Sequence, residues 1–390
     1  MLGGDRLHDV SRPWSCGKQC NARATHASFP DPSGVRDLAC SPPRAEAVTL
    51  AESPDQSARS RGAHGLGAPT RDPLLALSQE ADRGYSRGDM TGAVFAGIET
   101  GGSRIRARIA DAGGDVLADA HWPTTTPDAA LTNLVAFLAG AVPASGTLVA
   151  IGIAAFGPLV RDALSGDYGR VLNTPKPGWS GSNLRAALAG RFNVPVVVDT
   201  DVNAAACAEW QRGAGRGVRS LAYVTVGTGI GGGLVVQGRP LEGALHPEIG
   251  HIRVGRRERD RAPSVCPFHE SCVEGLASGP AITRRLGTGR ALADDPALLE
   301  LAAEYLGELA ATLVLAWSPE RIVWGGGVMS TPRLLERLRS ALTSTLAGYG
   351  VGEAAAAPDF CVSAALADSG LEGALLMARA SLPLNPKTGL

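Results

Sequence analysis

The spacing of apolar residues divides the chain into two unequal parts. From Val94 onward, apolar runs alternate with glycine turns and with segments of helical period, which predicts alternating strands and helices, as in an α/β protein. Residues 1–89 contain no such run beyond the short segment PLLALSQEA, and they are rich in Pro, Ser, Arg, Gly and Asp. This composition buries too little apolar surface to offset chain entropy. We therefore expect 1–89 to be a disordered tail, or a mis-assigned start with Met90 as the true first residue.

The strand and helix patterns of residues 90–390 follow a definite order. VFAGIETGGSRIRARIADAGGDVLADAHW predicts three strands joined by turns, PDAALTNLVAFLAGAV a helix, and TLVAIGIAAFGPL a buried strand. Next, VPVVVDTDVNAAACAEWQRGAG predicts a strand that runs into a helix, LAYVTVGTGIGGGLVVQGRPLEG a hairpin, and ERIVWGGGVMS another strand. A helix–strand–helix set closes the chain. We expect an N-terminal α/β domain over 90–205, completed by a C-terminal helix at about 369–390, and a C-terminal α/β domain over 206–368.

Glycine-rich turns follow three of the predicted strands. Backbone N–H groups in such turns can approach phosphate oxygens closely, and the first turn adds a hydroxyl. One such turn fits any tight hairpin, but three favour two β-sheet domains that close on a nucleotide. The second turn leads into a strand rather than a helix, so it is neither a dinucleotide fingerprint nor a P-loop. The candidate nucleotide-binding residues in these turns are Gly101, Gly102, Ser103, Thr228, Gly229, Gly325, Gly326 and Gly327.

Two aspartates, Asp199 and Asp201, follow a buried strand and precede a helix. An aspartate at such a place is either an N-cap, a role that its carboxylate fills well, or a general base at the carboxyl edge of an α/β sheet. Spacing alone favours the cap. The upstream loop NTPKPGWSGSNL is dense in Pro and Gly, and we expect Trp179 within it to be exposed.

Potential metal ligands are concentrated between His246 and Gly279. Three of the seven histidines lie there, together with a compact C-x-x-H-x-x-C cluster. Thiolates and imidazoles are the ligands that tetrahedral Zn²⁺ prefers, and four of them indicate a closed, structural site. Buried apolar cysteines and disulfides are the alternatives, but the compact spacing favours zinc. The predicted ligands are His251, Cys266, His269 and Cys272, with Glu248 and Glu274 beside them as rigid acceptors for a polar ligand such as a sugar hydroxyl.

Composition narrows the possible partners. The 390 residues carry a net charge of −1, which gives no electrostatic case for nucleic acid. No apolar run approaches the roughly 20 residues that span a bilayer, and the first residues have no signal-peptide segment. We expect a soluble, cytoplasmic protein that does not bind a membrane. Cys207 and Cys361 lie in apolar runs and are predicted core residues, while Cys16, Cys20 and Cys40 lack the spacing of a second metal site.

Six motifs occur in one order between about Met90 and Leu390, namely GIETGGSR, DTDVNAAA, VGTGIGGG, PEIGH, CPFHESCVEGLASG and WGGGV. In these motifs the chain resembles the ROK family of the actin-like ATPase superfamily. The first phosphate loop of that family is normally D-x-G-G-T-K. In this chain Glu99 replaces the Asp and keeps the acid, Ser103 replaces the Thr and keeps the hydroxyl, and Arg104 replaces the Lys and keeps the positive charge. The resemblance implies a two-domain actin-like ATPase (ribonuclease H-like) α/β fold with the active site in a cleft between the domains.

The resemblance also implies an activity and roles for the site residues. It implies an ATP-dependent hexose kinase in which Asp201 is the general base, a role that spacing alone ranks below the cap. Glu248, His251 and Glu274 would bind sugar hydroxyls, with His251 also a zinc ligand. Mg²⁺ would accompany ATP, and Pro280 would join the glycine turns in binding the nucleotide. The habit of the family implies a homodimer.

Three sequence features indicate which sugar the kinase would phosphorylate. The C-x-x-H-x-x-C form of the zinc motif, NTPKPGW and GIAAFGPL are similar to bacterial fructokinases, which implies D-fructose as substrate and fructose 6-phosphate as product. Glucose, mannose and N-acylhexosamine kinases are alternatives. A sugar-responsive ROK-type transcriptional repressor is another. Such repressors carry an N-terminal helix-turn-helix domain, whereas residues 1–89 lack paired amphipathic helices and a basic recognition face, so we favour the kinase.

Overall fold

The computed structural model of the chain describes residues 91–287 and 289–382. The expectation of a tail over 1–89 lies outside the described residues. Within them, the strands form two five-stranded sheets, and helices connect and cover these sheets. The alternation of strands and helices that the apolar spacing predicted is confirmed.

The first sheet is built from the N-terminal part of the described chain. Its strands are β1 (Ala93–Thr100), β2 (Arg104–Asp111), β3 (Val116–Pro123), β4 (Thr147–Ala155) and β5 (Val196–Thr200). Their order across the sheet is β3-β2-β1-β4-β5. The first three pair antiparallel as a meander, and β4 and β5 extend the sheet in parallel with β1. The carboxyl ends of β1, β4 and β5 therefore meet at one edge.

The second sheet repeats this arrangement. Its strands are β6 (Ser220–Val226), β7 (Ile230–Val236), β8 (Arg239–Pro240), β9 (Arg321–Gly325) and β10 (Cys361–Ser363), in the order β10-β9-β6-β7-β8. A hairpin of β6 and β7 is extended by β9 and β10, which run parallel to β6. Both sheets thus place a glycine turn directly after a central strand.

The helices of the described residues are α1 (Pro127–Ser145), α2 (Leu184–Phe192), α3 (Asp201–Arg212), α4 (Val273–Ala277), α5 (Gly279–Leu286), α6 (Pro296–Trp317), α7 (Leu334–Leu346), α8 (Gly352–Ala355) and α9 (Ser369–Ala380). The apolar core of the first sheet forms with α1 and α2, and that of the second forms with α6 and α7. The predictions did not include α4 or α8, because helices of five and four residues are too short to show a period. Cys207 and Cys361 are buried, as predicted.

Two helices, α3 and α9, connect the sheets through their packing. α9 lies on β1 and β4 at such close range that a Cβ at Gly152 would stand 1.9 Å from the Ala374 carbonyl oxygen. α3 packs against β6 and β7 of the second sheet. The two helices meet at Gly373, where a Cβ would lie 2.0 Å from the Ala204 carbonyl oxygen. This crossing holds α3 and α9 together between the two sheets.

Among the described residues, α1 alone is long and apolar enough, by length and composition, to cross a membrane. Its 19 residues come close to the roughly 20 that a bilayer requires. The prediction that no apolar run approaches this length therefore does not hold for α1. α1 buries Ala130, Leu134 and Leu138 in the core of the first sheet. These three residues therefore pack within the fold.

Candidate active site

The first two glycine turns touch each other. Turn 101–103 joins β1 to β2, and the Gly101 N–H donates to the Arg104 carbonyl oxygen at 2.9 Å. A Cβ at Gly102 would lie 2.0 Å from Thr228 Oγ1 in the turn between β6 and β7, so glycine is needed for this approach. A phosphate loop candidate from each sheet is therefore held against the other.

The third turn and the start of α5 adjoin the second turn. The Gly227 N–H donates to the Gly229 carbonyl oxygen at 2.8 Å, and the Gly279 N–H donates to the Gly227 carbonyl oxygen at 2.7 Å. Gly326 follows β9 with φ +88°, and a Cβ on it would lie 2.4 Å from the Val226 carbonyl oxygen. The structure thus brings together the segments that hold every predicted nucleotide-binding residue, which are Gly101, Gly102, Ser103, Thr228, Gly229, Pro280, Gly325, Gly326 and Gly327.

The two aspartates at the end of β5 and the start of α3 have different environments, and neither is the N-cap of α3. The cap is Thr200, whose Oγ1 accepts from the Asn203 N–H at 3.2 Å. Asp199 is buried and binds the Arg161 guanidinium through both oxygens, at 2.6 and 3.0 Å. Its carboxylate also accepts from Asn203 Nδ2 at 3.0 Å. Asp199 is therefore engaged in the fold, which leaves Asp201 as the candidate base.

Asp201 begins α3, where its Oδ1 accepts the Val202 N–H at 2.9 Å. Burial raises the pKa of Asp201 to about 7, and the negative charges of Glu99 and Glu248 act in the same direction. The Val202 N–H and the Lys176 ammonium lower this pKa, but by less. A carboxyl group that changes charge near neutral pH has the pKa expected of a general base.

Glu99 is the last acidic residue before the first glycine turn. Its Oε2 pairs with Arg106 Nη2 at 2.6 Å. Burial raises the pKa of Glu99 above its ordinary value, although the Arg106 guanidinium opposes this. The sequence placed Glu99 at the acid position of the phosphate loop; its electrostatic coupling to Asp201 emerges only from the structure.

The prediction that Trp179 is exposed is wrong. Its side chain is 1% exposed, its Nε1 donates to the Thr125 carbonyl oxygen at 2.7 Å, and its ring meets the Phe156 ring edge-on at 4.9 Å. The Pro- and Gly-rich loop folds back so that its tryptophan becomes an anchor. This anchoring brings Lys176 to the first glycine turn, where Nζ donates to the Gly102 carbonyl oxygen at 2.8 Å.

The four predicted zinc ligands form one cluster. One ligand atom from each of His251, Cys266, His269 and Cys272 lies within 4.8 Å of all the others. Cys266 Sγ is 3.7 Å from the Nδ1 atoms of both histidines. A tetrahedron with Zn–S near 2.3 Å and Zn–N near 2.0 Å has S–N edges of roughly 3.6 Å, so the cluster fits Zn²⁺ in both donor type and size.

Backbone pairing assembles this cluster from distant arms. The Val254 N–H donates to the Ser271 carbonyl oxygen at 2.9 Å, and the Val273 N–H donates to the Ile252 carbonyl oxygen at 3.0 Å. This short antiparallel pairing aligns Cys272 with the His251 arm. Burial raises the pKa of the Cys272 thiol to about 11, so a bound cation would have to displace its proton at neutral pH.

The predicted sugar-binding residues lie around this cluster. His246 Nε2 accepts from the Leu159 N–H at 3.3 Å, so the hydrogen-bond network assigns the proton to Nδ1, which faces Glu248 Oε1 at 3.4 Å. His246 therefore links the segment at Leu159 to Glu248. The sequence did not predict this role, because Leu159 is 87 residues away from His246. Glu274 Oε2 accepts the Ile230 N–H at 2.9 Å, at the end of the second glycine turn.

The sequence profile of the ROK family matches residues 95–381. This chain belongs to the ROK family.

Over 266 residues it is 41% identical to a fructokinase from Zymomonas mobilis, covering 66% of this chain and 88% of that one. It resembles a ROK hexokinase from Thermus thermophilus with 32% identity and a TM-score of 0.58, covering 73% of this chain and 98% of that one. A ROK family glucokinase from Streptomyces griseus, solved with glucose and AMPPNP, gives 27% identity, a TM-score of 0.59, and coverage of 73% and 99%. The predicted family and actin-like ATPase fold are confirmed.

Proposed function

We propose that this ROK protein transfers the γ-phosphoryl group of ATP to D-fructose and forms fructose 6-phosphate, with Asp201 as the general base. The observation that carries the proposal is the convergence of three glycine turns beside a carboxyl group of raised pKa. That the protein is an ATP-dependent hexose kinase agrees with its named relatives, among them the fructokinase of Zymomonas mobilis and the Thermus thermophilus hexokinase.

The chemistry follows from the position of Asp201 between the turns and the acidic sugar site. Its carboxylate accepts the proton of the sugar hydroxyl while that oxygen forms a bond to the γ-phosphorus and the bond to ADP breaks. Because the pKa of Asp201 is about 7, the carboxylate form, and with it kcat/KM, should increase as the pH rises through 7. Mg²⁺ would enter with the nucleotide, and N–H groups of the turns would offset phosphate charge.

The sugar would be held by Glu248, His251 and Glu274. One Glu274 oxygen is bound to the Ile230 N–H, which leaves the other oxygen to accept from a hydroxyl group. Zn²⁺ held by the His251, Cys266, His269 and Cys272 cluster would stiffen this loop. Buried acceptors of this kind discriminate against sugars that lack the matching hydroxyl.

The choice of fructose is supported by the relatives and by sequence features. The curated relatives with 33–41% identity include fructokinases from Zymomonas mobilis, Pediococcus pentosaceus and Lactococcus lactis. The NTPKPGW loop and the C-x-x-H-x-x-C cluster occur together in this chain. The domain boundaries near residues 205 and 368, the homodimer and the cytoplasmic location stay predictions.

The first experiment measures ADP release by the purified protein with Mg-ATP and fructose, mannose or glucose. We expect the highest kcat/KM on fructose, and a loss of about 10³-fold or more in kcat for Asp201→Asn, because general base catalysis and charge near the phosphoryl group are both removed. Asp128→Asn is the matched control, since Asp128 is also an aspartate in the first turn of a helix but is exposed on α1; its kcat should be unchanged.

Two results would contradict the proposal. Turnover that survives Asp201→Asn would remove the assigned base while keeping the kinase. Absence of turnover on every hexose, together with sugar-dependent DNA binding by the full chain, would instead support the repressor.

A further inference from the structure

Lysine is rare in this chain, and its one position in the described residues is in the candidate site. The sequence has 37 basic residues, of which only Lys18, Lys176 and Lys387 are lysines. Lys18 and Lys387 lie outside residues 91–287 and 289–382. Across the whole described structure, every other permanent cation is an arginine. A compact ammonium and a planar guanidinium are not interchangeable, so the use of lysine at this place calls for a physical explanation.

Lys176 lies where the two phosphate loop candidates meet. Its Nζ donates to the Gly102 carbonyl oxygen at 2.8 Å, and Gly102 is the residue that packs directly on Thr228. Below it, the Phe156 ring centroid is 4.5 Å from Nζ. Its positive charge acts on the Asp201 carboxylate and favours the ionised form. Lys176 therefore stands between the candidate base and the glycine turns.

In the described part of the chain, this ammonium has no ion-pair partner. Within residues 91–287 and 289–382, no carboxylate oxygen lies within 4.0 Å of Lys176 Nζ, whereas several partly buried guanidinium groups are ion-paired. Those pairs include Arg108 with Glu372, Arg161 with Asp199, Arg257 with Glu304 and Arg285 with Asp260. Partial burial lowers the pKa of Lys176 below its ordinary value, which is the expected cost of a cation without a counter-charge.

The surrounding loop holds this unpaired cation in place. Pro175 and Pro177 flank it in sequence and restrict the backbone, and the buried Trp179 fixes the loop to Phe156 and to the Thr125 carbonyl oxygen. A flexible surface lysine would need none of this. A carbonyl oxygen and an aromatic face leave part of the ammonium's hydrogen-bonding capacity free to donate to an anion.

We propose that Lys176 contacts the γ-phosphoryl group of the bound nucleotide and offsets its charge during transfer. This inference rests on the proposed kinase function and adds a residue to it. A rotatable point charge can follow the phosphoryl group from ADP towards the acceptor oxygen, whereas the larger fork of arginine would press against the turn at Gly102. The alternative is a structural role in which Lys176 only braces the Gly102 carbonyl.

Nucleotide binding separates these two roles without any need for turnover. ADP lacks the γ-phosphoryl group, whereas the ATP analogue AMPPNP has it. By calorimetry, Lys176→Met should keep the wild-type affinity for Mg-ADP within about twofold and lose about tenfold to hundredfold in affinity for Mg-AMPPNP, the range of one charge-assisted hydrogen bond. Lys176→Arg should recover part of the AMPPNP affinity because it restores the charge. With hexose present, kcat of Lys176→Met should fall by about 10²-fold or more.

Arg191→Met is the matched control. Arg191 also stands over a phenylalanine ring, Phe192, at 5.9 Å, but it is exposed in the last turn of α2. Its loss should change neither affinity. Equal losses of ADP and AMPPNP affinity in Lys176→Met would assign it the bracing role and overturn the inference, as would unchanged AMPPNP affinity. If the wild-type protein binds both nucleotides but phosphorylates no hexose, the proposed function is wrong. The affinities of Lys176→Met for ADP and AMPPNP then decide by themselves whether Lys176 contacts the γ-phosphoryl group.

Discussion

At the scale of single residues, two aspartates that look alike in the sequence do different work in the fold. Asp199 is neutralised by Arg161, 38 residues away, and Asp201 remains beside other acids. Motif spacing could place both at the end of β5, and the family resemblance could select Asp201. Neither motif spacing nor the resemblance could reveal the ion pair of Asp199 with Arg161 or the burial of Trp179, because both depend on contacts between segments that are distant in sequence.

The raised pKa of Asp201 predicts a stability effect of Asp201→Asn that depends on pH. A carboxyl with a pKa of about 7 in the folded state and about 3.9 in the unfolded chain costs stability above pH 7, and this cost disappears as the pH falls towards 4. Asn carries no such cost. We expect the Tm of the nucleotide-free variant to exceed that of the wild type at pH 8, and the difference to shrink at pH 5.

Thermal unfolding of both proteins across this pH range is the measurement. Asp128→Asn, which alters an exposed aspartate on α1, should show no comparable pH-dependent rise in Tm over the wild type. An unchanged or lower Tm of Asp201→Asn at pH 8 would mean that the Asp201 carboxylate is not destabilised in the fold, and that Asp201 does not have the raised pKa expected of a general base.

At the scale of elements, the zinc loop shows how much a spacing pattern can predict. The four ligands were identified from their residue types, and the structure gathers them within 4.8 Å. The sequence did not reveal that Glu274, two residues after Cys272, bonds to the second glycine turn through Ile230. The predicted zinc-binding loop and the second glycine turn are therefore in direct contact through Glu274 and Ile230. We expect zinc binding to reduce the mobility of both segments.

Metal content tests the ligand assignment directly. We expect about one zinc per chain by elemental analysis, and loss of that zinc in Cys266→Ser, because a hydroxyl is a poor substitute for a thiolate ligand. Cys361→Ser is the control, since Cys361 is a free thiol buried in the core of the second sheet, away from the cluster; it should lower stability and retain zinc. Zinc retained at full stoichiometry by Cys266→Ser would show that this cluster is not the site.

At the scale of the whole molecule, the described chain is joined by the contact between α3 and α9. Gly373 permits it, because a Cβ there would lie 2.0 Å from the Ala204 carbonyl oxygen. The apolar pattern predicted both helices, but it contains nothing that says which helices cross. Alanine and glycine at the crossing are weak signals in a chain with 50 glycines.

Gly373→Val should separate these helices and destabilise the protein by about 2 kcal/mol or more, since a backbone atom cannot yield to the new side chain. Gly140→Ala is the matched control: Gly140 lies in α1, and a Cβ there would meet nothing within 4 Å. It should stabilise the protein by about 0.5–1 kcal/mol through helix propensity. Chemical denaturation of both variants measures the two effects, and a neutral Gly373→Val would contradict the close crossing.

The packing of α9 on β1 also affects how the chain folds as it is made. β1 begins at Ala93 and α9 ends at Ala380, so one face of the first sheet must wait for almost all of the later chain to leave the ribosome. At roughly 5–20 residues per second, that delay is on the order of half a minute. During this delay the nascent sheet presents an uncovered apolar face, and we expect chaperones that bind exposed apolar surface to contact the emerging chain.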